Sequence, residues 1–259
     1  MEKLLTLLTL LTLTAVAVSV LAQEEQKTIS DKELKHIIPD ALCDWHMPPM
    51  DEVIQTGWRP PTIQDVANWH KVPPEQMARV LEEIIRERLP ILEKREDNDM
   101  TRRTATQART CISALEVFHS ANTLALLKEC VLSSDGSIRD NAVISYVTIA
   151  RATSIPFIQR AFAEGRVNNS WLVYTRVEDV IAELKKENKT ADVERFSVFL
   201  KDRLQTEANF FCVKKLDEIL CANVDGYTDN PQRQTTLKRI KVLEQEMREQ
   251  ERMMNNFNP

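Results

Sequence analysis

Asp44, His46 and His70 are the residues whose types could do acid–base chemistry, with an imidazole as base and a carboxylate to orient it. Each of these histidines follows a tryptophan, in Trp45-His46 and Trp69-His70, a pairing suited to a sugar-binding or catalytic cleft. Cys43 stands three residues before His46 and His36 is close by, so imidazole and thiolate ligands of the kind that hold zinc or copper share one stretch. No second Cys-x-x-His or Cys-x-x-Cys pair completes a ligand set, and these histidines read as ordinary surface or packed residues. Gly-x-Ser-x-Gly, His-Glu-x-x-His and a phosphate loop are all missing. Only four glycines occur (Gly57, Gly136, Gly165, Gly226), none close to another, which excludes a dinucleotide fingerprint. The chain therefore offers no catalytic, cofactor-binding or metal residue. An exported enzyme with a site near His46/His70, between an N-terminal module and the helical repeats, is the second reading.

The net charge of −5 gives no attraction to nucleic acid or to an anionic membrane. Residues 1–22 carry an apolar run from Leu4 to Leu21 behind Glu2-Lys3 and end in small residues. This pattern predicts a signal peptide cleaved after Ala22, export to a periplasm or outside the cell, and no stable membrane insertion once it is removed. Five cysteines (Cys43, Cys111, Cys130, Cys212, Cys221) leave at least one unpaired in a monomer. Cys111 and Cys130 fall on successive helices and could face each other, whereas Cys212 and Cys221 are nine residues apart on opposite faces of one helix. For most of them the expectation is a small buried apolar residue.

Few alternating β-branched runs occur, so the chain is expected to be all-α. Residues 23–61, dense in proline and tryptophan, predict an irregular wrapped segment. At Thr62 a helix begins, with Thr62 as N-cap and Asp65 at the third helical position. A second, longer helix runs from Pro74 to about Glu96, its buried stripe at Met77, Leu81, Ile84, Ile85, Leu89 and Leu92 and an interruption at Pro90. Thr62-Ile63-Gln64-Asp65-Val66-Ala67, Val72 and Ala78-Arg79-Val80-Leu81 resemble the helix-turn-helix of lactose-repressor-type regulators. That resemblance implies two helices meeting at a tight turn. Lys71 replaces the family's turn glycine, and Pro73-Pro74-Glu75 stand where base-reading residues begin, so no nucleic-acid partner is expected.

The mixed-charge stretch around residues 94–99 separates this module (62–96) from a helical array at 97–230. Thr104–Phe118 is expected to pack as the second half of a hairpin begun by the Pro74 helix. Two hairpins then repeat. Leu124, Leu127 and Val131 form one stripe, Asp135-Gly136 breaks it, and Ile138-Arg139 opens a helix with Val143 and Val147; Ile155, Ile158 and Phe162, Gly165 and Arg176 with Val177 and Val180 repeat the plan. Arg139 and Arg176 lie 37 residues apart, a period of stacked helix pairs. The run from Asp135 to Ala142 resembles the second-helix signature of HEAT repeats, and the likeness extends over about residues 104–223. It implies a HEAT-like α-solenoid in which Asp135, Arg139 and Arg176 form a ladder between repeats. The alternative has Arg109, Arg139 and Arg176 lining an anion-binding surface.

A third pair, Ala191–Thr206 and Glu207–Ala222, lacks the aspartate–arginine signature. Asn168-Asn169-Ser170 and Asn188-Lys189-Thr190 are glycosylation acceptors in a eukaryotic host. Residues 231–259 predict a long C-terminal helix on which Ile240, Leu243, Met247, Met254 and Phe257 follow a heptad spacing broken by Gln250. It is either a cap on the last repeat or a partner-binding helix, with a homodimer through it as one form of the latter. The expected function is an exported non-enzymatic helical-repeat scaffold that binds a protein or peptide partner.

Overall fold

The computed structural model describes residues 29–43, 59–94 and 98–257, with side chains to residue 254. The predicted leader, Asp44, Trp45, His46, Trp58 and the Phe257 side chain lie outside the described residues. Among the described residues every regular element is helical: α1 Asp31–Cys43, α2 Ile63–His70, α3 Pro74–Glu93, α4 Asp99–Ala114, α5 Ala121–Cys130, α6 Gly136–Ala150, α7 Ile155–Ala163, α8 Ser170–Lys186, α9 Thr190–Thr206, α10 Phe210–Asn223 and α11 Pro231–Phe257. Two 3₁₀ turns, Leu115–Val117 and Arg151–Ser154, extend α4 and join α6 to α7.

Helix starts obey local chemistry. Asn98, Ser120, Asp135, Asn169 and Asn209 each place a side-chain oxygen on a backbone N–H of the first turn. Thr62 and Asp65 complete the capping box expected from their spacing, and Arg59 holds the same carboxylate at 2.7 Å. Lys71 ends α2 in the left-handed conformation (φ 52°), the geometry for which the regulator family uses glycine.

The N-terminal segment departs from the expectation of an irregular wrap, because residues 31–43 are helical. Ser30 and Glu33 cap its start reciprocally, the Ser30 N–H donating to the Glu33 carboxylate at 3.0 Å. Leu34, Ile38 and Leu42 then give it a buried stripe that tolerates Pro39 inside the helix. Polar clamps hold α1 on α3: Arg79 meets Asp31 at 2.8 Å, and Lys35 meets Glu83 at 2.9 Å and Glu87 at 2.6 Å.

From α3 on, packing keeps to chain order. α3 lies along α4 and α5 along α6, while α9 packs on both α8 and α10. The even-numbered helices also contact one another in series, α4 on α6, α6 on α8 and α8 on α10, with α11 against α10. One hydrophobic core therefore runs without interruption from Leu34 to Tyr227, through Ile112, Val143, Val177, Phe199 and Leu216.

Candidate functional site

The turn between α7 and α8 organises the surface most suited to a ligand. Asp140, almost wholly buried, accepts the backbone N–H groups of Asn168 (2.8 Å) and Asn169 (3.1 Å). The Asn168 amide returns to α6 by donating to the Gly136 carbonyl at 2.8 Å. A Cβ at Gly136 would stand 2.5 Å from that amide nitrogen, so a side chain there would displace the Asn168 amide from its place in the clasp. Arg139 finishes the clasp, donating to the carbonyls of Ser133 (2.9 Å), Ser134 (3.0 Å) and Arg166 (3.1 Å) and to Asn168 Oδ1 (2.8 Å).

The three residues expected to form a ladder are spread over different tasks. Asp135 caps α6, accepting from the N–H groups of Ser137 at 2.8 Å and Ile138 at 3.1 Å. Burial works against its ionisation, but these bonds and the Ser137 hydroxyl outweigh it and hold the carboxyl below its ordinary value. Arg139 does cross between hairpins, to carbonyls rather than to an aspartate, while Arg176 reaches Glu116 at 3.6 Å. The carboxylate that bridges the hairpins is Asp140, immediately after the arginine of the signature. Its only signal in the sequence is that position, because the turn it grips lies 28 residues downstream.

Beyond the clasp, the first turns of α8 and α10 enclose a groove of about 600 Å³ lined by Asn168, Asn169, Trp171, Asn209, Phe211 and Cys212. Its rim is aromatic and open to solvent, with Trp171 43% and Phe211 58% exposed. Phe210 supports Phe211 edge-on at 5.1 Å between ring centroids. Lys215, tied to Glu178 at 2.6 Å, lies 6.0 Å from the centre of the Trp171 ring.

The groove floor is fixed from beneath. Tyr174 donates to Glu207 at 2.8 Å, and Arg203 donates to the Tyr174 oxygen at 3.1 Å while stacking 4.0 Å from the centre of Phe162. Glu207 also accepts the N–H groups of Ala208 (3.0 Å) and Asn209 (3.1 Å), and its backbone carbonyl takes a donor from Arg239 of α11. Burial, ahead of the neighbouring charges, pushes the Tyr174 hydroxyl well above its usual pKa, so it stays a neutral donor.

Other candidate residues are dispersed. His70 and Trp69 are exposed at the end of α2. No group of three or more His, Cys, Asp or Glu residues gathers among the described residues in a way that could hold a metal ion. Arg109 bonds Thr106 at 3.0 Å on its own helix. At the start of α3, Gln76 donates to Asp31 at 2.8 Å and Arg79 pairs with the same carboxylate. No disulfide joins the five cysteines, and burial raises the thiols of Cys111 and Cys130 to about 12. On α11, Ile240 and Leu243 pack against the core, Met247 is half-buried and Met254 is 64% exposed. No described helix is long and apolar enough to cross a membrane. Comparison with protein-family models, curated proteins and solved structures returned no match to this chain.

Proposed function

We propose that the chain is an exported, non-enzymatic scaffold of stacked helical hairpins, arranged as in HEAT arrays, that binds a protein or peptide partner in the groove between α8 and α10. The observation that carries the reading is the aromatic rim of Trp171 and Phe211 around an open groove whose backbone is locked by Asp140 and Glu207. Exposed aromatics on a rigid floor gain contact area at little entropic cost, which is how interface anchors work. The serial contact of α4, α6, α8 and α10 supports the stacked arrangement. The apolar leader at residues 1–22 supports export.

The test is affinity capture from the host's envelope fraction with the chain from Gln23 onward, in wild-type form and as W171A/F211A, with V198A as the control at an exposed position on α9. A captured protein, once identified and titrated, should bind the double variant at least about 30-fold more weakly, since an aromatic anchor contributes about 2 kcal/mol. Equal affinity for all three forms would remove the groove from the reading.

A further inference from the structure

A second cavity, of about 470 Å³, opens between α5, α6 and α7. Its wall is an aromatic pair, Tyr146 and Phe157, with ring centroids 4.2 Å apart. Exposed Leu132 stands at its mouth. Two exposed cations flank it: Lys128, 5.6 Å from the centre of the Tyr146 ring, and Arg160. Neither has an ion pair among the described residues, whereas Arg139, Arg151, Arg176 and Arg203 are all held by carbonyls or carboxylates. One acid, Glu164, completes the lining.

The same molecule carries the complement. α11 packs on the body through Thr236, Ile240 and Leu243. Past Leu243 its apolar stripe continues with Met247 and Met254, one heptad apart and on the face that Ile240 and Leu243 turn to the core. Residues 242–254 hold four glutamates against two arginines, and the ion pair of Arg248 with Glu244 is internal to the helix. At about 100° per residue, Glu244 and Glu251 both flank the methionine stripe on the same side. This stretch of α11 is therefore an acidic helix whose flexible thioether side chains are half-buried at Met247 and exposed at Met254. The cavity is aromatic and basic, and methionine sulfur packs favourably against aromatic rings.

We propose that the Lys128/Arg160 cavity receives the projecting half of α11 from a second copy of this chain. Met247 and Met254 face Tyr146 and Phe157, and Glu244 and Glu251 face the two cations. Two such insertions, each copy lending its helix to the other, close a twofold dimer. This assignment does not depend on the Trp171 groove, which is built from the first turns of α8 and α10.

The experiment is sedimentation velocity on the full chain over a concentration series, with three forms: wild type, K128E/R160E and E244K/E251K. All four positions lie at the surface or on the projecting helix, and far-UV circular dichroism verifies that each variant is folded. Wild type should form a dimer that weakens with salt. Each reversed variant should raise the dissociation constant at least about 10-fold, because repulsion replaces attraction at both reciprocal contacts. An equimolar mixture of the two variants should recover the dimer, since every cavity then meets a helix of opposite charge. A wild-type monomer up to about 100 µM, a dimer indifferent to both reversals, or a mixture that stays monomeric would each overturn the proposal.

Discussion

Replacing Asp140 by alanine removes the single carboxylate that spans from α6 to the turn in front of α8. In the native chain it accepts two backbone N–H groups, at 2.8 Å and 3.1 Å, from a nearly buried position. A bond to an ionised acceptor contributes about 1.5–3 kcal/mol, and the donors left behind lose their partner outright. Asn168 and Asn169 are exposed, so water can re-solvate part of that turn, which places the pair near the lower end, at about 3 kcal/mol in total. For a chain of this length each kcal/mol moves the melting temperature by about 2–4 °C, so the expected fall is about 6–12 °C. Urea and thermal unfolding monitored by circular dichroism measure it. Asp179→Ala, an exposed aspartate on α8, is the control and should stay within about 0.5 kcal/mol of wild type. Asp140→Asn keeps one acceptor oxygen without the charge and should fall between the two. If Asp140→Ala costs no more than Asp179→Ala, the clasp does not hold the hairpins together and the groove floor is not fixed in the way described.

Lys71→Gly should stabilise the fold by about 0.5–1 kcal/mol, because a left-handed residue that carries a Cβ is strained; a lower urea midpoint would refute this. Asp31 and Asp65 titrate below their ordinary value because Arg79 and Arg59 respectively hydrogen-bond them, with Gln76 and Thr62 adding to the effect. Their folded pKa values are depressed, so the stability they supply is complete above about pH 5 and drains away as pH falls through 4 towards the folded values. Asp65→Asn should flatten that acid slope in urea midpoints taken between pH 3 and 7. Cys111 and Cys130, fully buried with thiols raised to about 12, should resist a thiol reagent at pH 8 until urea unfolds the chain, while half-buried Cys43 and Cys221 label before them. Mass spectrometry of the labelled peptides checks the order. In a glycosylating host, Asn188, exposed in a left-handed turn, should carry glycan and Asn168 should not, because its amide nitrogen is bonded to Gly136; glycopeptide mapping distinguishes them.

The helices and many of their ends are legible in local spacing. Thr62 with Asp65, Asp135 before Gly136, and the apolar stripe through Val177 and Val180 act within one or two turns, and short-range physics of that kind leaves its mark in spacing. The same local evidence was present but outweighed in α1, where the density of prolines hid the reciprocal Ser30–Glu33 cap and the Leu34–Ile38–Leu42 stripe. Which polar groups meet follows from the packing of distant segments. Asp140 lies beside Arg139 in the chain, yet its partners come from a turn 28 residues on; Glu207 joins α8, α9 and α11; Lys128 and Arg160 come to line one cavity only when α5, α6 and α7 pack together. Trp171 and Phe211 each read as one more apolar residue on a helix, and they form a rim because capping starts both helices at the same level of the packed row. A side chain's partner across a helix interface depends on the rotation and offset of both helices. Those are set by the sum of many small packing contacts, and no short stretch of sequence contains that sum.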